Sequence, residues 1–493
     1  MIRRLAIVLI FICATAPRAA KTQNVTVGSK SFTENVILGE IITGLLESGG
    51  ISVRHRAEIG GTRILWEALI AGDIDVYPEY TGTIVEEILA GQPDERTGSI
   101  ENQLAAFGVR ITRPLGFNNT YVLGVRPETA VKYHLQTISD LREHPDLKFG
   151  FSNEFMARGD GWPALRSVYN LSPEDARGID HDLGYRALEN GSIDVIDLYS
   201  TDAEIEYYNL HLLTDDLGHF PEYQAVLLYR DDRSEEIGAL LESLEGLILE
   251  TRMIQMNASA KIDQKSEAVI ARKFLSEIGI QTRAADVDTW RTRLIRNTID
   301  HLFLVLISLI AAIALAIPLG VIAFRNPRAG RIILGIVGAI YTIPSLALLV
   351  FMIPLLGIGA GPAIMALFLY SLLPIVFNTH SGLSDIPSEL MDSARALGLD
   401  PSVQLRKIEL PLATRSILTG IRTAAVINIG TATLGALIGA GGYGQPILTG
   451  IRLNSTSLIL EGAIPAAVLA LVVQYAFSRI ERWLVPAGLR LDN

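Results

Sequence analysis

The stretch Met391-Asp-Ser-Ala-Arg-Ala-Leu-Gly-Leu-Asp-Pro-Ser-Val-Gln-Leu-Arg-Lys-Ile-Glu-Leu-Pro411 is a polar island between apolar runs. Pro387, just upstream, suits a first helical turn, and Gly398 suits a helix stop. Leu390, Ala394 and Leu397 fall on one helical face. Small residues at 394 and 398 permit close backbone approach. Asp400-Pro401 can open a second short helix, and Pro411 is expected to break it before the next apolar run. The pattern predicts a compact two-helix knob set between membrane spans.

Outward from this island, five apolar spans can be drawn, at 302–324, 332–353, 363–377, 424–440 and 458–477. Pro318 and Pro344 lie inside spans, where the membrane tolerates them. Charge orients the spans. Arg325, Arg328 and Arg331 follow the first, Arg395, Arg406, Lys407 and Arg415 lie between the third and fourth, and Arg479, Arg482 and Arg490 follow the fifth. On the other side, 357–361 is glycine-rich and 441–457 has Arg452 as its lone cation. The positive-inside rule then puts the 388–411 loop and the C-terminus in the cytoplasm. Arg291, Arg293 and Arg296 run against the rule. Asn428 and Glu461 are polar in or near spans, and either line a path or pack helices.

Asp392, Ala394, Gly398, Ile408, Leu410 and Pro411 stand at the spacing of a known motif. The stretch resembles the EAA loop of ABC importer permeases, in which Glu-Ala-Ala, a Gly and Ile-x-Leu-Pro recur. Asp392 replaces the Glu and Ser393 the first Ala. The membrane part is similar to osmoprotectant permeases throughout, including 439–444 and 462–466. The resemblance implies an all-α type I ABC importer permease of about five transmembrane helices, over 301–493. It also implies a separate cytoplasmic ABC ATPase docked on the loop, and two copies of this chain in a bacterial plasma (inner) membrane.

The rest of the chain narrows the class. A length of 493 residues exceeds one core. A net charge of -11 with no basic stripe excludes nucleic acid as a partner. A single cysteine, Cys13, excludes a disulfide framework and a thiolate metal site. No phosphate-binding Gly-x-x-x-x-Gly-Lys-Ser/Thr motif is present, so ATP hydrolysis belongs to another chain. No catalytic constellation, metal or cofactor is expected. Residues 1–23 read as a signal peptide or an uncleaved anchor, with Arg3 and Arg4 ahead of a short apolar run.

Residues 24–288 alternate strand and helix patterns, which predicts an α/β domain. Ser31-Phe-Thr-Glu34 reads as a capping box with Glu34 as the cap partner. Thr62 reads as a second cap. Residues 283–296 read as a polar linker, with 289–300 joining the two domains. Ala68-Leu-Ile-Ala-Gly-Asp-Ile-Asp-Val76 is echoed by Ala187-Leu-Glu-Asn-Gly-Ser-Ile-Asp-Val195. Each copy is a helix end, a Gly stop and a short buried strand followed by tyrosine. Two similar lobes would face each other across a cleft for a small ligand.

Loops at those strand ends carry Lys30, Tyr80, Thr83, Tyr121, Arg158, Tyr199 and Tyr223. Ring faces suit a quaternary ammonium, which donates no hydrogen bond, and the two cations suit a carboxylate. The segments 28–34, 73–83 and 197–202 resemble the glycine betaine/choline family of substrate-binding proteins. That resemblance implies a two-lobed, type II-like periplasmic-binding-protein fold outside the cell. It makes Tyr80, Tyr121, Tyr199 and Tyr223 the cage, and Lys30, Arg158 and Thr83 the carboxylate holders. These holders favour a betaine over choline, and would also suit carnitine or ergothioneine. Glu34, Glu79, Asp197 and Asp202 read as structural. The reading is an ABC importer subunit that fuses receptor to permease. A membrane-tethered ligand sensor is the alternative of another class.

Overall fold

The computed structural model describes residues 24–90, 99–282 and 289–484. The expected signal peptide or anchor, 1–23, lies outside the described residues, as does Arg490. Ten strands are described: β1 (Asn24–Gly28), β2 (Ser52–Arg56), β3 (Val76–Tyr80), β4 (Val109–Ile111), β5 (Tyr121–Val125), β6 (Lys148–Ser152), β7 (Asp175–Ile179), β8 (Val195–Tyr199), β9 (His211–Leu213) and β10 (Ala225–Arg230). They form two sheets, β2-β1-β3-β10-β4 and β7-β6-β8-β5-β9. In the first, β1 runs parallel to β2 and β3, and β10 antiparallel to β3 and β4. In the second, β6 runs parallel to β7 and β8, and β5 antiparallel to β8 and β9. The topology is therefore used twice, and the two copies of the sequence echo lead into equivalent strands, β3 and β8. The chain crosses between lobes before β5 and before β10, where Asn118 and Gln224 form an antiparallel bridge. Two adjacent crossings confine lobe motion to a hinge.

Local chemistry explains the elements and corrects three expectations. Val25 and Val27 alternate inward on β1, against Ile37, Ile41 and Leu45 of the helix Thr33–Ser48. The capping box does not form: Phe32 is the N-cap residue, without a side-chain cap bond. Thr62 is likewise inside its helix, Thr62–Ala71, behind Gly61, and its hydroxyl serves Lys30 instead. Both polar side chains have stronger partners in the cleft than their own helix ends offer. Tyr77 to Tyr80, read as loop, belong to β3. Pro78 is tolerated there because β1 pairs with β3 only at Val76, so that side of the strand has no ladder at Pro78, and its carbonyl takes Asn35 Nδ2 at 3.0 Å.

The membrane part begins with the helix Trp290–Arg325, so residues 290–300 are its first turns and not a separate linker. Further apolar helices run Ala360–Ser384, Leu410–Thr431 and Thr456–Leu484. The expected second span is broken: Pro327–Thr342 and Ser345–Leu356 meet at 99°. Pro344 stands at that break, where its missing N–H and ring end the first helix. Among the described residues, four helices are long and apolar enough to cross a membrane, or five if the bent pair is one span. Asn428 is fully buried and donates to Ser308 and Ser371 at 3.1 and 2.9 Å, which ties three of the helices together. Arg293 and Glu461 pair at 2.8 Å, so one cation on the flank that opposed the charge rule is neutralised.

The island at 388–411 folds as the helix Ser388–Ala396, a turn at Gly398 and the helix Pro401–Gln404. Gly398 has φ +70, and a Cβ there would meet nothing within 4 Å beyond its chain neighbours among the described residues, so its role here is the left-handed turn and not close approach. Ala394 is buried, whereas Leu390 and Leu397 are exposed. Pro411 does not break the chain. A π turn, Leu405–Glu409, absorbs it, and Glu409 is buried against Arg325 at 2.7 Å.

Receptor and membrane parts share an apolar cluster that includes Ile59, Leu65, Leu304 and Ile438, and they also meet through polar groups. The helix Gly444–Arg452 presents Gln445, Thr449 and Arg452 on one face, all bonded to Glu58 at 2.6, 3.0 and 2.7 Å. Glu58 is 3 % exposed and holds φ +61, a conformation costly for a non-glycine residue. Arg452 also reaches Glu267 at 2.6 Å and Thr33 Oγ1 at 3.0 Å. A second contact joins Asp73 to the backbone N–H of Ile358 at 3.2 Å. Arg452, the lone cation of 441–457, thus ties the first lobe to the membrane part.

Candidate ligand-binding cleft

All seven nominated residues line one cavity between the lobes: Lys30, Tyr80, Thr83, Tyr121, Arg158, Tyr199 and Tyr223. Strand pairing brings the rings together. Tyr121 and Tyr199 are cross-strand partners with ring centroids 5.2 Å apart, and Tyr223 meets Tyr121 edge-on at 5.6 Å. Gly82 makes room for Tyr223, since a Cβ there would lie 2.5 Å from the ring. Lys30 lies 5.5 Å over Tyr80, and Arg158 lies 5.7 Å over Tyr121.

The two cations are not bare. Lys30 Nζ donates to Glu79 Oε1 at 2.6 Å and to Thr62 Oγ1 at 2.9 Å. Arg158 donates from Nε to Asp160 at 2.8 Å, and from Nη1 to Glu87 at 2.9 Å and Thr83 at 3.4 Å. Burial would raise the Asp160 pKa, but Arg158 and Tyr223 outweigh it and hold the carboxyl low. Glu79, read as a turn residue, is the buried counterion of Lys30.

Sequence reasoning missed a second group of lining residues: Phe32, Glu34, Asn119, His181, Asn257 and Lys261. The Glu34 carboxylate accepts from Tyr80 Oη at 2.6 Å, Asn119 at 2.8 Å, Thr201 at 2.5 Å and Asn257 at 3.2 Å. Burial pushes its carboxyl up, against the pull of those donors. Thr201 belongs to the second lobe, so this bond spans the cleft. So do the bonds of Lys261 to Asp182 and, at 2.9 Å, to Glu204. The lobes are therefore closed on each other. One clue to His181 was available: the offset that carries Ala68 onto Ala187 carries Thr62 onto His181.

His181 packs on Tyr199 at 4.7 Å, and its Nε2 bonds Asp202 at 3.1 Å. Burial alone would lower its pKa. The charge and hydrogen bond of Asp202 outweigh that, with help from Asp197 and Asp182, and carry it up to about 9. The pair thus stabilises the fold fully below pH about 6.5 and loses that contribution as pH rises through about 9. The melting temperature of the full chain is expected to fall between pH 7 and 9.5, and to fall less in His181→Phe. Equal slopes in the two proteins would contradict the assignment.

Residues 23–277 match the family described as the substrate binding domain of ABC-type glycine betaine transport systems. The chain belongs to that family. Residues 296–487 match the binding-protein-dependent transport system inner membrane component. One polypeptide therefore carries both the receptor and the membrane permease of an ABC transporter. The choline transport system permease protein OpuBB of Bacillus subtilis is 44 % identical over 197 residues, 40 % of this chain and 91 % of its own. The ergothioneine transport permease/ergothioneine binding protein EgtU of Helicobacter pylori is 34 % identical over 289 residues, 56 % of this chain and 52 % of its own. A solved glycine betaine/carnitine/choline ABC transporter structure is 30 % identical, with a TM-score of 0.44, and covers 51 % of this chain and 98 % of its own. These families are transport families, and a permease of this class works with a cytoplasmic ATPase.

Proposed function

We propose that the chain captures a small quaternary-ammonium zwitterion of the glycine betaine type outside the cell and passes it through its own membrane domain. The observation that carries this is the convergence of all seven residues on one closed cavity. Lys30, Arg158, His181 and Lys261 line it against Glu34, Glu154, Asp182, Asp202 and Glu204. Cationic and anionic side chains thus line it in similar number, which suits a zwitterion better than a bare anion. The rings supply the ammonium site, and the N–H groups of Lys30 and Arg158 left over from their internal pairs supply the carboxylate site. The balanced charge weakens the case against choline, so choline, carnitine and ergothioneine belong to the same series of trials.

The rest of the reading follows the family. Two copies of 301–493 form the path, and the receptor of 24–288 sits on the outer side of a bacterial plasma membrane. The ATPase docks on the cytoplasmic loop 388–411. Support comes from the side of attachment: Arg452, in the outer loop by the charge rule, is the residue that holds the receptor. Calorimetric titration of the full chain tests the cage. Tyr199→Ala is expected to weaken binding at least about fivefold, whereas Tyr199→Phe keeps the ring face and most of the affinity. An unchanged Kd in Tyr199→Ala for glycine betaine, choline and carnitine would sink the cage.

A further inference from the structure

The last residue of the helix Glu250–Lys261 is gripped by the second lobe, and the residues just after it are held by the membrane part. Lys261 Nζ pairs with Asp182 and, at 2.9 Å, with Glu204, and its side chain is 11 % exposed. One turn back, Asn257 Nδ2 donates to the Thr201 carbonyl at 3.0 Å, also across the cleft. The rest of the helix belongs to the first lobe, where Met253, Met256 and Ala260 share a core with Val25 and Ile37. Burial would lower the Lys261 pKa, but the two carboxylates outweigh it and hold the ammonium charged.

Beyond the helix the chain turns at Gln264, which holds φ +56 without being glycine. Its Nε2 donates to the Lys261 carbonyl at 3.1 Å and to the Leu453 carbonyl at 2.7 Å. An amide carries two N–H groups, so both bonds can stand at once. One side chain therefore joins the residue gripped across the cleft to the residue after Arg452 in the outer loop. Leu453 is itself buried in the first-lobe core, which keeps its carbonyl within reach. Glu267, which opens the next helix, pairs with Arg452 at 2.6 Å. Residues 262–266 are exposed, so burial does not fix their path and the bonds at their two ends do.

We propose that Lys261-Ile-Asp-Gln-Lys-Ser-Glu267 is the element through which the permease reads lobe closure, with Gln264 as its positioning residue. This rests on the transport reading above. Asp182 and Glu204 leave Lys261 when the lobes part about the crossings at 118 and 224, whereas Gln264 and Glu267 stay with the first lobe against the outer loop. Lys261, Asp182 and Glu204 also line the ligand cavity, so the grip forms as the cavity closes. Coupling between two sites requires contacts that differ between two states, and the grip on Lys261 is such a contact. The shared amide of Gln264 carries it to Leu453.

The test is ATP hydrolysis by the full chain with its partner ATPase in nanodiscs, with and without saturating glycine betaine, choline or carnitine, beside calorimetric affinity. Gln264→Gly keeps the left-handed turn without strain and loses only the side-chain bonds. Its ligand affinity and basal hydrolysis are expected to stay within about twofold, and its ligand-stimulated increment to fall at least about fivefold. Lys261→Met is expected to lose the increment even at saturating ligand, and Lys261→Arg, which can still pair with both carboxylates, to recover most of it. An undiminished increment in Gln264→Gly, or in Lys261→Met at saturation, overturns the proposal. Loss of basal hydrolysis in step with the increment in Gln264→Gly also overturns it, because the turn would then be a structural tie alone. A native complex that binds these amines without stimulation overturns the coupling, whereas one that binds none of them overturns the quaternary-ammonium reading.

Discussion

Arg452→Met is expected to stop uptake while ligand affinity stays within about threefold. Arg452 is 5 % exposed and ties three receptor residues, Glu58, Glu267 and Thr33, to the membrane part. Removing it leaves two buried carboxylates without their cation, a change that costs roughly 3–5 kcal/mol when a buried pair is broken from one side. That penalty falls on the contact between domains, since all three partners lie in the receptor. The receptor would still close on ligand but would no longer be seated on the permease. Uptake in proteoliposomes with the partner ATPase, measured beside calorimetric affinity of the same preparation, separates the two effects. A triple variant, Arg452→Met with Glu58→Gln and Glu267→Gln, removes the stranded charges and is expected to recover part of the uptake. Full uptake by the single variant would show that the contact carries no coupling.

Gly398→Val is expected to abolish ATPase association and uptake, again with ligand binding intact. Gly398 holds φ +70, and a residue with Cβ pays roughly 1–2 kcal/mol there, more when β-branched. A Cβ there would meet no other described residue within 4 Å, so the strain acts on the shape of the knob and on whatever docks against Leu390 and Leu397. Gly398→Asn, which tolerates the left-handed conformation, is expected to retain most of the association. Co-purification of the ATPase with each variant reads this directly. Ligand-dependent output that persists in Gly398→Val, in a native chain that shows no uptake at all, would favour the sensor over the importer.

Much of this architecture was written in short-range pattern. The echo of 68–76 in 187–195 marked equivalent strands, because a helix end, a glycine stop and a buried strand depend on neighbours in the chain. The seven cleft residues were reachable through the resemblance to the glycine betaine/choline binding family, since spacing alone does not separate a cage tyrosine from any other. The errors share a cause as well. Ser31, Thr62 and Glu34 had the chemistry of helix caps, but sheet pairing placed better partners beside Thr62 and Glu34. Pro344 and Pro411 look alike in sequence, yet one stands at a 99° break and the other is absorbed by a π turn.

By itself the sequence determined the division into an α/β part and a membrane part, the repeated lobes and the knob at 388–411, all of which follow from hydrophobic period, charge and turn residues. The tertiary structure alone decided which charges are spent internally and which atoms are left for a ligand. Lys30 and Glu79 are 49 residues apart, and Glu58 and Arg452 are 394 apart. Electrostatic pairing in a buried site depends on distance in space, and separations of that size in the chain carry no trace of it.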